Sequence, residues 1–319
     1  MLNVYFTVDV EIWCGSWQDI DSKFPRAFKQ YIYGHTPDGD FGLPYKLKVL
    51  NDHGLKGVFF VEPMFSCRFG RGPLEEIVNL IKEANQAIEL HLHTEWVDEA
   101  KQPIFPSVAQ KRQFMRYFNL DEQTRLIALG KQWLMESGVE KIRAFRAGSF
   151  GFNVETLNAL IANDIAIDSS YNASFMGTES NFMPGTVVTE AVRYQNVYEL
   201  PMTVYFDRPG HLRHTQLCAC SYKEMESLLW KALEQGRKNF TILSHNFELL
   251  HRSFERPDKI VIKRFMQLCE FLDKNKDCFK TCDYGDYQGA VFDKQPTPLL
   301  SPLWRTGQRM LEQLWSKYA

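Results

Sequence analysis

The chain alternates short, continuous apolar runs with longer stretches whose apolar residues recur at helical spacing. Residues 4–9 read as a first strand, and residues 43–53 as a helix stopped by Gly54. Gly57-Val58-Phe59-Phe60-Val61 is apolar without alternation, the pattern of a strand buried on both faces. Ile77, Leu80, Ile81 and Ala84 share one helical face within 74–85, and the apolar run Ala87-Ile88-Glu89-Leu90 follows as a third strand. Helices at 121–136 and 154–163 then alternate with strands at 142–146 and 165–168. Residues 197–202 are strand-like, and 221–236 read as a helix with Ser221 and Glu224 in a capping pattern. A strand at 240–243 ends in Ser244-His245, a helix covers 257–274, and 279–282 form a last short strand. Repeated strand–helix alternation predicts an α/β fold with a parallel sheet and helical crossovers.

The tail from 298 differs. Leu303, Trp304, Gly307, Met310, Leu311, Leu314, Trp315 and Tyr318 fall on one helical face, with Arg305, Arg309 and Lys317 elsewhere. The expectation is an amphipathic helix packed on the domain, with peripheral contact to a membrane or partner as the alternative. No low-complexity linker divides the chain, so residues 1–290 read as one domain and 291–319 as a helical extension.

Composition narrows the function. A net charge of −2, with no basic run, gives no nucleic-acid footprint. No segment is apolar and long enough to span a bilayer. The first residues lack a basic region followed by a long apolar one, so no signal peptide is read. The seven cysteines are scattered without a Cys-x-x-Cys pair, which suits reduced thiols and predicts a cytoplasmic protein.

Reactive side chains of parallel α/β folds gather at the C-terminal ends of strands. Asp9 and Glu11 end the first predicted strand; His91, His93 and Glu95 end the third. Arg146, Asp168 and His245 end three more. His91 and His93, two residues apart, point the same way from a strand, and imidazoles converging with carboxylates suit Zn²⁺ or a similar divalent ion. A pair of histidines hydrogen-bonded in a polar cleft is the bland alternative. A metal polarises a carbonyl and acidifies water, a carboxylate takes a proton, and a histidine across the cleft protonates a leaving amine. Those parts suit hydrolysis of an amide or ester. No Gly-x-Ser-x-Gly elbow and no phosphate-binding glycine loop occurs, so neither a serine nucleophile nor a nucleotide cofactor is implied.

In order along the chain, these residues resemble the polysaccharide deacetylases of the NodB-homology group, carbohydrate esterase family four. Thr7-Val8-Asp9-Val10-Glu11 resembles the first motif, Thr-Phe-Asp-Asp, and His91-Leu92-His93-Thr94-Glu95 the second, His-(Ser/Thr)-x-x-His. Phe145-Arg146-Ala147-Gly148-Ser149-Phe150-Gly151 is similar to the Arg-Pro-Pro-(Tyr/Phe)-Gly element without its prolines. Asp168-Ser169 and Leu243-Ser244-His245 match the remaining two. The run Leu90 to Trp96 looks most like the WalW-like subgroup linked to lipopolysaccharide biosynthesis.

The resemblance implies an irregular (β/α)7-type barrel and removal of an N-acyl group from an amino sugar of a surface-polysaccharide or lipopolysaccharide precursor. The partner would be a carbohydrate or glycolipid substrate. By position, Asp9 would be the base, Arg146 its orienting partner, His245 the acid with Asp168 tuning it, and His91 a metal ligand. Two positions depart from the pattern. Glu11 is the nearest replacement for the family's second aspartate, because Val10 stands in its place. Glu95 stands where the second ligand histidine belongs, so either Glu95 ligates or His93 substitutes. Zn²⁺ is the expected ion, and fewer imidazoles also suit Mn²⁺, Fe²⁺, Co²⁺ or Ni²⁺. A metal-independent amidase on the same fold and a catalytically degenerate sugar-binding protein are the competing readings. Trp13, Trp17, Trp96 and Tyr171 flank the motifs as candidate sugar-stacking rings or as core, and the cationic loop 208–214 is either solvated or an anion contact.

Overall fold

The computed structural model describes residues 1–106, 110–175, 180 and 182–318, with side chains up to residue 312. Strand β1 (Leu2–Val10) is buried almost throughout and is paired along both of its edges. After it come helix α1 (Ile20–Phe28), a hairpin of β2 (His35–Thr36) and β3 (Gly39–Asp40), and helix α2 (Leu43–Asp52). Strand β4 (Val58–Val61) leads through α3 (Ser66–Phe69) and α4 (Gly72–Glu83) to β5 (Ala87–Leu92). Helix α5 (Leu120–Glu136) precedes β6 (Ala144–Ala147), and α6 (Val154–Ala162) precedes β7 (Ile167–Asp168). Then follow β8 (Val192–Tyr194), β9 (Val197–Glu199), β10 (Val204–Arg208) and β11 (His211–His214). Helix α7 (Tyr222–Glu234), strand β12 (Asn239–His245), α8 (Lys259–Lys274), β13 (Phe279–Thr281), β14 (Leu299–Leu300) and α9 (Leu303–Tyr318) complete the order.

The main sheet runs β12-β1-β4-β5-β6-β7-β9-β8. Every ladder from β12 to β9 is parallel, and β8 adds an antiparallel edge. Seven parallel strands match the barrel expected from the sequence, but no ladder joins β12 to β9 among the described residues. The extended segment after β11 spans that gap instead: Leu243 N–H donates to Thr215 O (2.8 Å), and Leu217 N–H donates to Leu243 O (2.9 Å). The result is a curled, partly open barrel.

Helices cover its outer surface. The capping boxes Asn119/Glu122, Asn153/Thr156 and Ser221/Glu224 fix where α5, α6 and α7 begin, the last as the sequence predicts. Gly130 lets α5 approach the histidine strand closely, since a Cβ there would lie 2.8 Å from Leu92 Cδ2. Parallel pairing puts Asp9 beside His245 and His91 beside Arg146 in register. Four motifs far apart in sequence thereby reach one rim.

Helix α9 docks the other way round from the expectation. Its polar residues Thr306 and Arg309 are buried, whereas Leu303, Trp304, Met310 and Leu311 are exposed. Arg309 pairs with buried Asp207 (2.7 Å), and Arg264 of α8 pairs with Glu312 (2.7 Å). Charge pairing therefore decides the buried face. The side chains of Leu314, Trp315 and Tyr318 lie outside the described residues. No described helix is long and apolar enough to cross a membrane.

Candidate active site

Glu11, His91 and His93 converge, each with a ligand atom within 4.8 Å of the others, and all are buried. His91 Nδ1–H donates to the carbonyl of Arg146 (2.8 Å), which leaves Nε2 with its lone pair toward the cleft. Burial pushes the His91 pKa down to about 4, against the opposing pull of Asp9, so this imidazole is neutral. His93 Nε2 faces Glu11 Oε2 (2.7 Å), and its Nδ1 faces Glu95 Oε2 (3.3 Å). Burial lowers its pKa, but the flanking Glu11 and Glu95 outweigh that and raise it well above the usual imidazole range. Burial likewise raises Glu11, and the His93 charge and hydrogen bond outweigh it, holding that carboxylate well below its usual range.

This donor set fits a divalent cation. Two imidazoles and one carboxylate leave open coordination positions, as catalytic zinc sites do. Each histidine also has its far nitrogen held, His91 by a carbonyl and His93 by Glu95, the arrangement that orients metal-bound imidazoles. Of the two alternatives, His93 is the one gathered with Glu11 and His91, whereas Glu95 lies on the 3-10 turn Thr94–Glu99 and bonds the far nitrogen of His93.

Asp9 and Arg146 form the next layer. Arg146, fully buried over the Phe60 ring, donates through Nη1 to Asp9 Oδ1 (2.6 Å) and Thr7 Oγ1 (2.9 Å). Its remaining nitrogens donate to Ser169 O and Oγ, both at 3.1 Å. The second Asp9 oxygen lies 4.0 Å from His91 Nε2. Gly148, just past Arg146, is required by the metal corner, because a Cβ there would lie 2.7 Å from His93 Nδ1. Just beyond it, Ser149 and Phe150 adopt left-handed conformations (φ 51° and 57°), a costly backbone for non-glycine residues.

His245 faces the cluster from β12, with Nε2 3.4 Å from Glu11 Oε1. Its Nδ1 bonds Glu248 Oε1 (2.9 Å). Burial depresses the His245 pKa, but the Glu248 hydrogen bond and charge, followed by Glu11 and Asp9, overcome this and hold it up to about 9. Glu248 is fixed in turn by Gln216 and by Ser244 Oγ (3.2 Å), and buried Lys46 donates to Ser244 Oγ (2.6 Å). Asn246 locks the opposite strand: it accepts from Glu11 N–H (3.1 Å) and donates to Glu11 O (3.2 Å).

Asp168, expected to tune His245, is engaged with Glu199 and Ser170 instead. Asp168 lies opposite Glu199 in register and accepts from Ser170 Oγ (2.5 Å), which in turn accepts from Ala147 N–H (2.9 Å). Burial raises both carboxyl pKa values, that of Asp168 to about 6, so the pair retains a proton and braces the Arg146 turn from behind. Sequence reasoning missed Glu248, although its i+3 spacing from His245 was a usable signal. It also missed Asn246, Gly148 and Glu62, a buried acid whose pKa burial raises to about 8. Trp96 and Tyr171 are fully buried core. Trp13 is half-buried and donates to Glu11 Oε2 (2.9 Å), edge-on to His93. In the loop 208–214, His211 and Arg213 turn onto Asp207 (2.6 and 3.9 Å), so these charges are paired.

No protein-family model matches the sequence, and no curated protein matches it. Solved structures do. A putative polysaccharide deacetylase from Mycobacterium smegmatis aligns over 93% of this chain and 95% of its own, with a TM-score of 0.56 and 15% identity. A 4-alpha-glucanotransferase from Thermococcus litoralis aligns over 94% of this chain but 42% of its own, with a TM-score of 0.52 and 8% identity. The chain therefore has the fold of the polysaccharide deacetylases, the NodB fold, over nearly its whole length.

Proposed function

We propose that the protein is a metal-dependent hydrolase that removes an N-acyl group from an amino sugar. One observation supports this most: Glu11, His91 and His93 form a three-ligand set with the free oxygen of Asp9 on one side and His245 Nε2 on the other. Glu11, His91 and His93 would hold the ion, with Zn²⁺ favoured by two imidazoles and one carboxylate. When bound, it supplies Lewis-acid polarisation of the acyl oxygen and acidifies water toward a pKa of about 7.

The rest is done by the protein. Arg146, itself held by Thr7 Oγ1, fixes one Asp9 oxygen, which aims the other at the cleft to take a proton from the attacking water. Glu248 keeps His245 protonated, ready to give its Nε2 proton to the departing amine. Trp13 aligns Glu11 and forms part of the rim. The amino sugar of a surface-polysaccharide or lipopolysaccharide precursor, handled in the cytoplasm, is the substrate we favour; the seven unpaired cysteines agree with that compartment.

The test is acetate release from N-acetyl amino sugars by protein reconstituted with Zn²⁺, Mn²⁺, Fe²⁺, Co²⁺ or Ni²⁺. Turnover lost in Asp9→Asn is expected. Release that is unchanged by a chelator overturns the metal role, and glycan binding without turnover under any metal leaves a sugar-binding protein.

A further inference from the structure

The inverted docking of α9 leaves a consequence at the surface. Residues 303, 304, 307, 310 and 311 share one helical face, and residues 306, 309 and 312 share the opposite one. The second face is bound down by polar contacts: Thr306 Oγ1 donates to Asp207 O (2.9 Å), Arg309 pairs with Asp207 and Glu224 (2.7 and 3.5 Å), and Glu312 pairs with Arg264. The first face turns Leu303, Trp304, Met310 and Leu311 outward, next to exposed Leu300 of β14. Large apolar side chains held outward on one helical face by buried charge pairs mark a contact surface.

Beside it runs a groove of about 760 Å³ between α8, α9 and the segment after β12. Phe247, Leu250, Phe254, Ile260, Val261 and Met310 give it apolar walls. Met310 joins the groove to the α9 patch. At the other end Phe247 lies against His245, with ring centroids 5.4 Å apart. With Glu248, Asp258, Arg264 and Glu312 also in its lining, the groove joins the outer face of α9 to the acid side of the cleft.

Charge selects the occupant. From residue 300 onward the chain carries Arg305, Arg309 and Lys317 against Glu312 alone, and both Arg309 and Glu312 are spent on docking. Arg305 stacks over the face of Trp304 (4.0 Å), pairing an aromatic ring with a cation as at membrane interfaces. On the segment and helix that flank the groove, Arg252, Arg256, Lys259 and Lys263 are exposed against exposed Glu255, with Asp258 in the groove wall, a net positive excess. A second copy docked by symmetry would bring these cations against themselves, whereas anionic headgroups complement them.

We infer that α9 lays the protein on an anionic lipid bilayer, apolar face down, with the groove opening at that surface to a lipid chain. Combined with the proposed hydrolysis, on which only this last step rests, the acylated amino sugar is presented on a lipid.

The experiment is co-sedimentation of the full chain with vesicles of phosphatidylglycerol and phosphatidylethanolamine, and with vesicles of phosphatidylcholine alone. The wild type is expected to pellet with the anionic vesicles and less with the neutral ones. The double variant Trp304→Glu/Leu311→Glu, at two exposed positions away from the cleft, should partition roughly 100-fold more weakly with an unchanged thermal melt. Asp9→Asn protein should bind vesicles like the wild type. Absence of vesicle binding, unchanged binding by the double variant, or a wild-type dimer that the variant converts to monomer overturns the surface. Acyl release is scored separately. Vesicle binding without turnover overturns the hydrolase reading alone, and turnover on a soluble amino sugar without vesicle binding overturns the membrane surface alone.

Discussion

Two histidines on opposite sides of the cleft are set to opposite protonation states. His91 has its pKa pushed down to about 4, and His245 has its held up to about 9. His91 is fully buried and His245 partly so, but burial disfavours the charged form of both, so it does not explain why they differ in sign. Their partners do. His91 gives its Nδ1 proton to the backbone carbonyl of Arg146, a neutral acceptor that fixes the tautomer. His245 gives its Nδ1 proton to Glu248, a carboxylate that stabilises the imidazolium. A ligand must offer a lone pair and an acid must offer a proton, and the fold provides each by choosing what stands behind the ring.

The sharpest way to break this contrast is to remove each ring. His91→Ala should abolish metal binding, read by titration calorimetry, and turnover with it. His245→Ala should lower acyl release by about 10²–10⁴-fold while metal affinity stays unchanged. A His245→Ala protein that also loses its metal would mean that the two corners are one site.

Gly148 tests the metal corner without touching a ligand. In Gly148→Ala the new Cβ would meet His93 Nδ1 at 2.7 Å and Leu92 O at 2.8 Å. The His93 ring must tilt and its bond to Glu95 must break. Metal affinity should fall about 10–100-fold, as when an outer partner of a ligand is lost. The melting temperature separates this from unfolding, and wild-type affinity in a folded variant would show that His93 is not a ligand.

Glu248→Gln tests the acid corner. Its carboxylate raises the His245 pKa, so the neutral amide lets it fall toward the ordinary 6.5. The rate requires protonated His245 and declines above that pKa. The alkaline limb of kcat/KM should therefore move to lower pH, with about a tenfold loss near pH 8. Asp168→Asn should leave the limb in place. If the limb moves in Asp168→Asn and stays in Glu248→Gln, the order expected from the family resemblance is restored.

Much of this was legible in the sequence because strands and their ends are local features. The apolar runs marked β1, β4, β5, β6 and β12, and Asp9, His91, Arg146 and His245 stand at strand ends. What sat behind those residues was not legible. Glu248 lies on a turn, Lys46 comes from α2, and the Arg146 carbonyl belongs to the backbone. Such partners are chosen by strand order and register, which apolar periodicity does not contain. Helix α9 shows the same limit: spacing defined its two faces, but the buried acids Asp207 and Glu224 determine which one turns inward.

The smallest effect concerns Glu89, on the same strand as His91 but away from the cleft. Its Oε2 accepts from the backbone N–H groups of Arg143 (2.7 Å) and Ala144 (2.8 Å), which favours the ionised form. Burial dominates and raises its pKa from 4.5 to about 8. The folded state thus holds this proton more tightly than the unfolded chain. The stability it confers is complete below pH 4.5 and is lost as pH rises through about 8. Glu89→Gln keeps an oxygen for both N–H groups and has no proton to lose. Between pH 5 and 9 its melting temperature should decline less than that of the wild type, by on the order of 1 kcal/mol or about 2 °C. Metal affinity and the alkaline limb should not move, because Glu89 contacts neither histidine. Superimposable melting curves across that range would mean that the two backbone donors already keep Glu89 ionised. Stabilisation of charge by the partner behind the group would then extend from the cleft to the far end of the strand.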